Sequence, residues 1–261
     1  MVTATDHRIG PLLRDWRQRR RLSQLDLALE AGVSTRHLSF VETGRSRPSA
    51  DMVLHLADRL EVPLRERNQL LLAAGYAPRY GSRSLDDPDL VQIRDALGHV
   101  LAGHEPYPAI AVDRRWNLVM SNGALDPLLE GVAPELLVPP VNCVRLALHP
   151  DGLAPRILNL GEWRGHLLQR MGRELQVTGD PQVEVLLDEI RDYPGPIAPD
   201  APDAGAIMVQ LRLADRSGDG ELAFFSTITT FGTAADITVS ELSVEAFFPA
   251  DAETAERLRR R

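Results

Sequence analysis

The sequence has 261 residues, 44% hydrophobic and 25% charged, with a formal net charge of −8; that is long enough for two domains and too apolar for a disordered chain. All 29 basic residues are arginine, which excludes a phosphate-cradling Gly-Lys loop, a pyridoxal Schiff base and a Ser-Lys dyad. The single Cys143 excludes an internal disulfide and a cysteine-rich zinc site, and no apolar leader or membrane-length run occurs, so the sequence predicts a cytoplasmic protein with no membrane partner.

Charge is unevenly placed. Residues 1–80 carry 13 Arg against 9 Asp and Glu, a net +4, while the remainder is at −12. Only the first part suits a polyanion.

Ile9, Leu12, Leu13 and Trp16 recur at i, i+3, i+4 and i+7 and predict a first helix. Arg17 to Arg21 close it, and Arg19, Arg20 and Arg21 are open between complementing the helix dipole and touching phosphate. A second helix opens at Ser23, with Asp26 placed to complete a capping box. Leu22, Leu27, Ala28 and Ala31 form its apolar face, and the small Ala28 allows another helix to cross closely. Gly32 supplies the left-handed turn, Val33 plugs the crease and Ser34 caps a third helix.

On that third helix, at about 100° per residue, Thr35, Ser39, Arg36 and Phe40 fall on one side and Val41 and Leu38 on the other. In a helix-turn-helix the free side of the second helix lies in the major groove and the first crosses the phosphates. Thr35, Arg36, Ser39 and Phe40 are therefore the candidate base readers, Arg36 by forking onto guanine and Phe40 by meeting a thymine methyl. His37 sits at the edge. Gln24, with Arg45 and Arg47 in the following loop, is a candidate phosphate contact. An ordinary helical hairpin with a solvated polar face would need none of these offsets. Val53, Leu56, Ala57 and Leu60 predict a fourth helix, and Leu64, Leu70, Leu71 and Ala74 a fifth, after Pro63 and ending at Gly75.

Residues 9 to 62 resemble the Cro/repressor-type (XRE) helix-turn-helix domains. VSTRHLSFVETGRSRPS, RERNQLLLAAGYAP, HEPYPAIAVDRRW, NCVRLALHPDGLAP and FFSTITTFGTAADITVSELSVEAFFPADAET, in this order, resemble the MmyB-like regulators of bacteria over nearly the whole chain. The first resemblance implies that Arg17 turns inward to pair with Glu42. The second implies a PAS-like domain holding a small ligand, with an apolar acid such as a fatty acid favoured. The sequence departs from the family where Leu160, not Trp, follows Asn159 and where Cys143 and Val144 replace bulkier residues.

The polar stretch GYAPRYGSRSLDDP marks a linker, and the expected division is residues 1–78 for the DNA-binding domain, 79–88 for the linker and 89–261 for the second domain. A helix is predicted from Asp89 to about Gly103, then strands over 109–112 and 118–120 with a turn at Asp113–Trp116, and a helix capped by Asn122. Further helices are expected around 142–148, 163–175 and 183–190. Val209, Leu211 and Leu213 then begin a period-two pattern that continues in strands over 222–231 and 242–248. The expected fold is multidomain: a five-helix all-α unit, then an α+β, PAS-like unit with helices gathered on one face of a five-stranded antiparallel sheet.

Several motifs are set aside. GDGELA resembles a dinucleotide fingerprint, but FFSTITTF follows it and provides no helix N-terminus for a pyrophosphate, so it reads as a hairpin turn. HPDGL at His149 reads as a turn. No His spacing suits a metal and no GxSxG elbow occurs, so no catalytic residue, metal or cofactor is expected. Trp116, Phe224, Phe225, Phe231, Phe247 and Phe248 read as core before ligand cage. Arg145 stands among Val144, Leu146 and Leu148 and needs a carboxylate, either from a distant acid brought in by folding or from a bound acid. In the second case Arg145, Asn142 and His149 are the ligand residues. The reading is a DNA-binding regulator, expected as a homodimer on double-stranded DNA, that senses a small apolar acid; the alternative is a helix-turn-helix protein whose second domain only dimerises or binds a protein.

Overall fold

Ser23, Ser34 and Ser49 each hold the chain extended while their side chains accept a backbone N–H three residues ahead, and a helix starts from each. At Ser23 the Asp26 carboxylate accepts the return bond from the Ser23 N–H, completing the capping box. The computed structural model describes residues 9–197, 208–216, 220–232 and 234–260. The chain divides into two compact units, the first made of the residues up to Ser82 with Gln176–Thr178 and Ala235–Ile237, the second of the remaining residues from Arg83.

The first unit contains five helices: α1 (Ile9–Arg19), α2 (Gln24–Glu30), α3 (Thr35–Glu42), α4 (Ala50–Arg59) and α5 (Leu64–Ala73). Leu13, Leu27, Leu38, Val41, Leu56, Leu70 and Leu71 are almost wholly buried in one core. Each such side chain contributes about 1.5–3 kcal/mol relative to exposure, so the α2–α3 pair is held by packing on α1 and α4. Leu12, expected on the same stripe, is instead 37% exposed.

Two glycines permit this packing for different reasons. Gly32 has φ +62° with open space where a side chain would be, so the turn requires its backbone freedom alone. Gly10 is a contact point: a Cβ there would stand 2.3 Å from the Glu42 carbonyl oxygen, so α1 meets the end of α3 backbone to side-chain-less backbone.

The second unit begins with a short 3-10 turn (Pro88–Leu90) and α6 (Val91–Ala102), followed by β1 (Ala109–Val112) and β2 (Leu118–Ser121). Four helices follow: α7 (Asp126–Leu129), α8 (Cys143–Leu148), α9 (Leu160–Thr178) and α10 (Pro181–Arg191). The chain then returns through β3 (Leu211–Ala214), β4 (Glu221–Thr230), α11 (Ile237–Ser240), β5 (Ser243–Pro249) and α12 (Ala252–Arg259), the last of which the sequence reading did not anticipate. The five strands form one sheet in the order β2-β1-β5-β4-β3, every neighbouring pair antiparallel. The turn expected at GDGE lies largely outside the described residues, but helix-free β4 follows it.

Alternation along the strands decides what each face meets. Ala109, Ala111 and Val244 pack with Leu97 and Leu101 of α6. Leu213, Phe224 and Phe247 point to the other side, into a core with Leu148, Trp163, Leu167, Met171, Leu187 and Ile190 from α8, α9 and α10. Helices therefore cover both faces, not one, and β1 is buried along its whole length because it lies between them. Asn122 also departs from expectation: it makes no side-chain cap. Its amide is buried, accepting from Ala109 N and donating to the Leu101 and Tyr107 carbonyls, which ties β2 to the start of β1.

No helix among the described residues is long and apolar enough to cross a membrane.

Candidate functional site

In the first unit the site is α3. Leu38 and Val41 have 0% exposure, Thr35, Ser39 and Phe40 are half-buried, and Arg36 is exposed. The guanidinium carbon of Arg36 stands 5.3 Å from the Phe40 ring centroid and that of Arg45 5.9 Å from it. Two of the expected DNA contacts therefore flank a third, and each guanidinium keeps its N–H donors directed at no carboxylate or carbonyl among the described residues.

Behind α3, Arg17 donates from Nε and Nη2 to the two oxygens of Glu42, at 2.7 and 2.9 Å, and from Nη1 to the Leu22 carbonyl at 2.8 Å. Both side chains are buried. Burial alone would push the Glu42 carboxyl up, but hydrogen bonds from Arg17 and Gln24 and the Arg17 charge outweigh it and hold it below the usual carboxylate range. The inward pair that the family resemblance implied is present.

Two phosphate assignments change. Gln24 directs its amide N–H to Glu42 Oε2 at 2.8 Å, so at least one of its donors holds the end of α3. Arg47 turns back on α5: Nε donates to the Ala74 carbonyl at 2.9 Å and Nη2 to that of Gly75, with the guanidinium 5.0 Å from the Tyr76 ring centroid. It satisfies carbonyls that a helix C-terminus leaves without partners. Arg20 does the same for α4, donating to the Leu60 and Glu61 carbonyls. Of the three expected phosphate residues, only Arg45 has no such commitment.

In the second unit one face of the sheet and helices α7 to α9 line a partly open cavity of about 90 Å³. This is several times the roughly 10–15 Å³ that one water needs. Its wall is almost entirely apolar, with Ile110, Val144, Leu167, Leu213, Phe224 and Phe247 among its members and Trp116 and Trp163 on its sides. The lining residues that carry a polar group are Cys143, Glu245, Trp116 and Trp163.

Each of these polar groups has its own setting. Glu245 lies on β5, two residues from Phe247 and opposite Ile110 of β1; it accepts from Ser226 Oγ at 2.7 Å and from Arg170 Nη1 at 3.1 Å. Arg170 also lies 4.0 Å from the Trp116 ring centroid. Trp116 takes a left-handed φ of +66°, unusual for a bulky residue. The tight turn after Asp113, closed by the Trp116 backbone N–H on the Asp113 carbonyl, imposes it, and the Trp116 indole N–H donates to Glu174 Oε2 at 3.0 Å. Burial raises the Glu174 carboxyl above its ordinary range, against the Trp116 hydrogen bond and the Arg170 charge. Burial, with Glu245 and Asp113 nearby, pushes the Cys143 thiol up to about 12, so it is a wall group and not a thiolate. The indole N–H of Trp163 is buried with no hydrogen-bond partner among the described residues.

The expected ligand residues are not in this wall. Arg145 donates from Nε and Nη2 to Glu189 of α10 at 2.8 and 2.7 Å, and the Tyr193 hydroxyl donates to the same carboxylate. Asn142 is the N-cap of α8, accepting from Val144 N and Arg145 N and donating to the Arg115 carbonyl. His149 accepts from Asp151 N and meets Tyr193 edge-on. The correction has a helical cause: Val144 and Ala147 of α8 turn to the cavity, and Arg145 lies about 100° and 200° round from them. The need for a carboxylate was real, and an acid 44 residues away meets it.

Sequence reading missed Trp163 and Glu245 as cavity residues and took Trp116, Phe224 and Phe247 as core. A signal for Glu245 was present, since it shares the β5 face with Phe247 where an apolar residue would be expected.

Residues 13–67 match the helix-turn-helix family, and residues 93–260 match the family described as MmyB-like transcription regulator ligand binding domain. No curated protein matches the chain. With the second match spanning more than half of the sequence, behind a helix-turn-helix, this chain belongs to the MmyB-like transcription regulators.

Proposed function

We propose that this regulator works as a cytoplasmic homodimer that reads a near-palindromic operator through α3 and is biased by an apolar, acyl-chain ligand in the cavity of its second unit. In the DNA reading, Thr35, Arg36, Ser39 and Phe40 face base edges and Arg45 meets a phosphate, with half-sites about 34–36 Å apart. Arg36 is the principal reader because it is exposed and its donors meet no acceptor among the described residues.

The observation that carries the sensing role is the cavity itself. Protein interiors are close-packed, yet here a partly open space of about 90 Å³ lies between the sheet and its helices, walled by aliphatic and aromatic side chains. Such concave apolar space with a few polar groups is what small-molecule sites are built from. The order 2-1-5-4-3, with the main helices inserted between β2 and β3, supports a PAS-like sensor. Arg145 has no part in this reading.

Titration of the full-length protein with fatty acids of graded length tests it. Each buried methylene should contribute about 0.8 kcal/mol, roughly fourfold in affinity, until the cavity is full. Affinity that ignores chain length would remove the sensing role and favour a second unit that only dimerises.

A further inference from the structure

The edges of the sheet are not alike. Beside β2, the Leu118 N–H donates to the Val141 carbonyl and the Cys143 N–H to the Trp116 carbonyl. Beside β3, the Leu158 N–H donates to the Arg212 carbonyl, and Asn159 accepts from the Arg212 N–H. A further stretch of edge belongs to β4, because β3 pairs only with Glu221–Phe224 while β4 runs on to Thr230.

Alternation in the antiparallel ladder fixes which groups this stretch offers. The Ala250 N–H donates to the Ala223 carbonyl, and the Phe247 N–H donates to the Pro108 carbonyl on the β1 side, so Phe225, Thr227 and Thr229 bond to β5. Ser226, Ile228 and Thr230 therefore direct their backbone N–H and C=O groups away from β5, and no partner meets those groups among the described residues. The four residues Thr227–Thr230 are all exposed, so neither face of the strand is covered there, and Ile228 is 47% exposed. Edges of this kind are commonly blunted by a charge or a proline. From Leu222 to Ala235 this chain has neither. Open backbone groups and β-branched side chains with no guarding charge suit the addition of another strand.

The sequence of the strand says which strand fits. A two-fold axis at Ile228 sets two copies of β4 antiparallel, so that Ile228 faces its own copy, Thr227 faces Thr229 and Ser226 faces Thr230. The outward groups of Ser226, Ile228 and Thr230 then answer one another in hydrogen-bonded pairs. Across the strands, hydroxyl side chains meet hydroxyl side chains and isoleucine meets isoleucine, pairs that stabilise antiparallel sheets, and no like charges are opposed. We propose that β4 is the dimerisation edge of the second unit: two copies of this chain join through Ser226–Thr230 about a two-fold axis, and their sheets become continuous. The proposal rests on the homodimer reading above and gives it a surface, an isologous one of the kind closed two-fold dimers use.

Sedimentation velocity of the full-length protein over a range of concentrations tests it. The parent should sediment as a dimer. Ile228→Lys sets like charges opposite each other and removes the isoleucine contact, so it should weaken self-association roughly tenfold; Ile228→Glu should do the same. Ile228 belongs to neither core of the second unit, so these substitutions leave the fold in place. An equimolar mixture of the two variants should recover the dimer, because a pairing that brings position 228 against itself turns two repulsions into one attraction. An Ile228→Lys protein as dimeric as the parent, or a mixture no more associated than either variant alone, would overturn the β4 edge and leave the homodimer to another surface. A parent that stays monomeric would overturn both.

Discussion

Replacing Glu42 by alanine removes the acid on which three parts of the first unit converge. Its carboxylate takes two hydrogen bonds from Arg17 and one from Gln24, and its side chain is 2% exposed against 9% for Arg17. The substitution leaves the guanidinium buried beside the Leu22 carbonyl with no counter-charge. Breaking a buried pair from one side costs about 3–5 kcal/mol. For a unit of this size the whole stability is on the order of 5–10 kcal/mol, and each kcal/mol is worth roughly 4–8 °C, so the melting temperature of the helical unit should fall by more than about 12 °C. The indole signal of Trp16 reports this unit separately from the other two tryptophans during a thermal melt. The pH dependence follows from the same pair. The folded-state carboxyl of Glu42 is depressed below its unfolded value, so its stabilisation is complete above the ordinary glutamate range and is lost as pH falls through the lowered folded value. Glu42→Gln should remove that acid-side slope. The double variant Arg17→Met with Glu42→Leu should recover much of the loss, because the unpaired charge is gone. A Glu42→Ala protein that melts within about 2 °C of the parent would refute the reasoning.

Arg36→Ala should lose about 1–3 kcal/mol of binding at one base position and relax preference there; equal losses on operator and random DNA would take Arg36 out of the readers. Arg45→Ala should weaken binding to all sequences alike and reduce the salt slope by about 1, whereas Arg47→Ala, which loses the ties to Ala74 and Gly75, should lower the melting temperature and leave that slope nearly unchanged. Gly10→Ala should destabilise the helical unit by about 1–3 kcal/mol through overpacking against Glu42, measured by denaturant titration. Cys143, half-buried and with its thiol pushed up to about 12, should react with a thiol reagent at pH 8 far more slowly in the folded protein than in the unfolded one; equal rates in the two states would contradict its placement.

The first unit was largely legible in the sequence because its determinants are local. Capping serines, an αL glycine and an i, i+3, i+4 stripe act over three or four residues, and each produced the helix start or stop expected of it. The strands of the second unit were legible for the same reason, through alternation. What sequence could not supply was the set of partners joined over long separations. Arg145 required an acid, and whether Glu189 or a ligand supplied it depended on how α8 rotates against α10. Trp163 and Glu245 are 82 positions apart and come to line one cavity only when β5 is threaded between β1 and β4. Asn122 looked like a cap by residue type, yet the backbone of β1 and the end of α6 offered it buried acceptors and a donor, and these won. The covering of both sheet faces escaped notice because β1, with Ala109, Ile110, Ala111 and Val112, is apolar at every position; a continuous run of that kind is itself the mark of a strand packed on both sides.

The absence of lysine changes how the charge of the first unit should be counted. A guanidinium is a planar fork that can serve two carbonyls at once, and Arg20 and Arg47 use it to close α4 and α5. Arg17 is neutralised by Glu42, and Arg19 and Arg67 reach Asp15 and Asp58. The positive excess of residues 1–80 is therefore a poor guide to how many phosphates this unit can neutralise. The charges left uncommitted include Arg36 and Arg45, and both stand against the ring of Phe40. A guanidinium resting on an aromatic face keeps its in-plane donors available while losing part of its rotational freedom, so less entropy remains to be lost when it meets a base edge or a phosphate. Phe40 thus acts as the platform on which the two uncommitted charges of the reader are arranged. Phe40→Leu, which keeps the apolar bulk and removes the ring face, should weaken operator binding through Arg36 and Arg45 together, and the double variant Phe40→Leu with Arg36→Ala should lose less than the sum of the two single losses. Strictly additive losses in a gel-shift titration would show that the ring does not position either arginine.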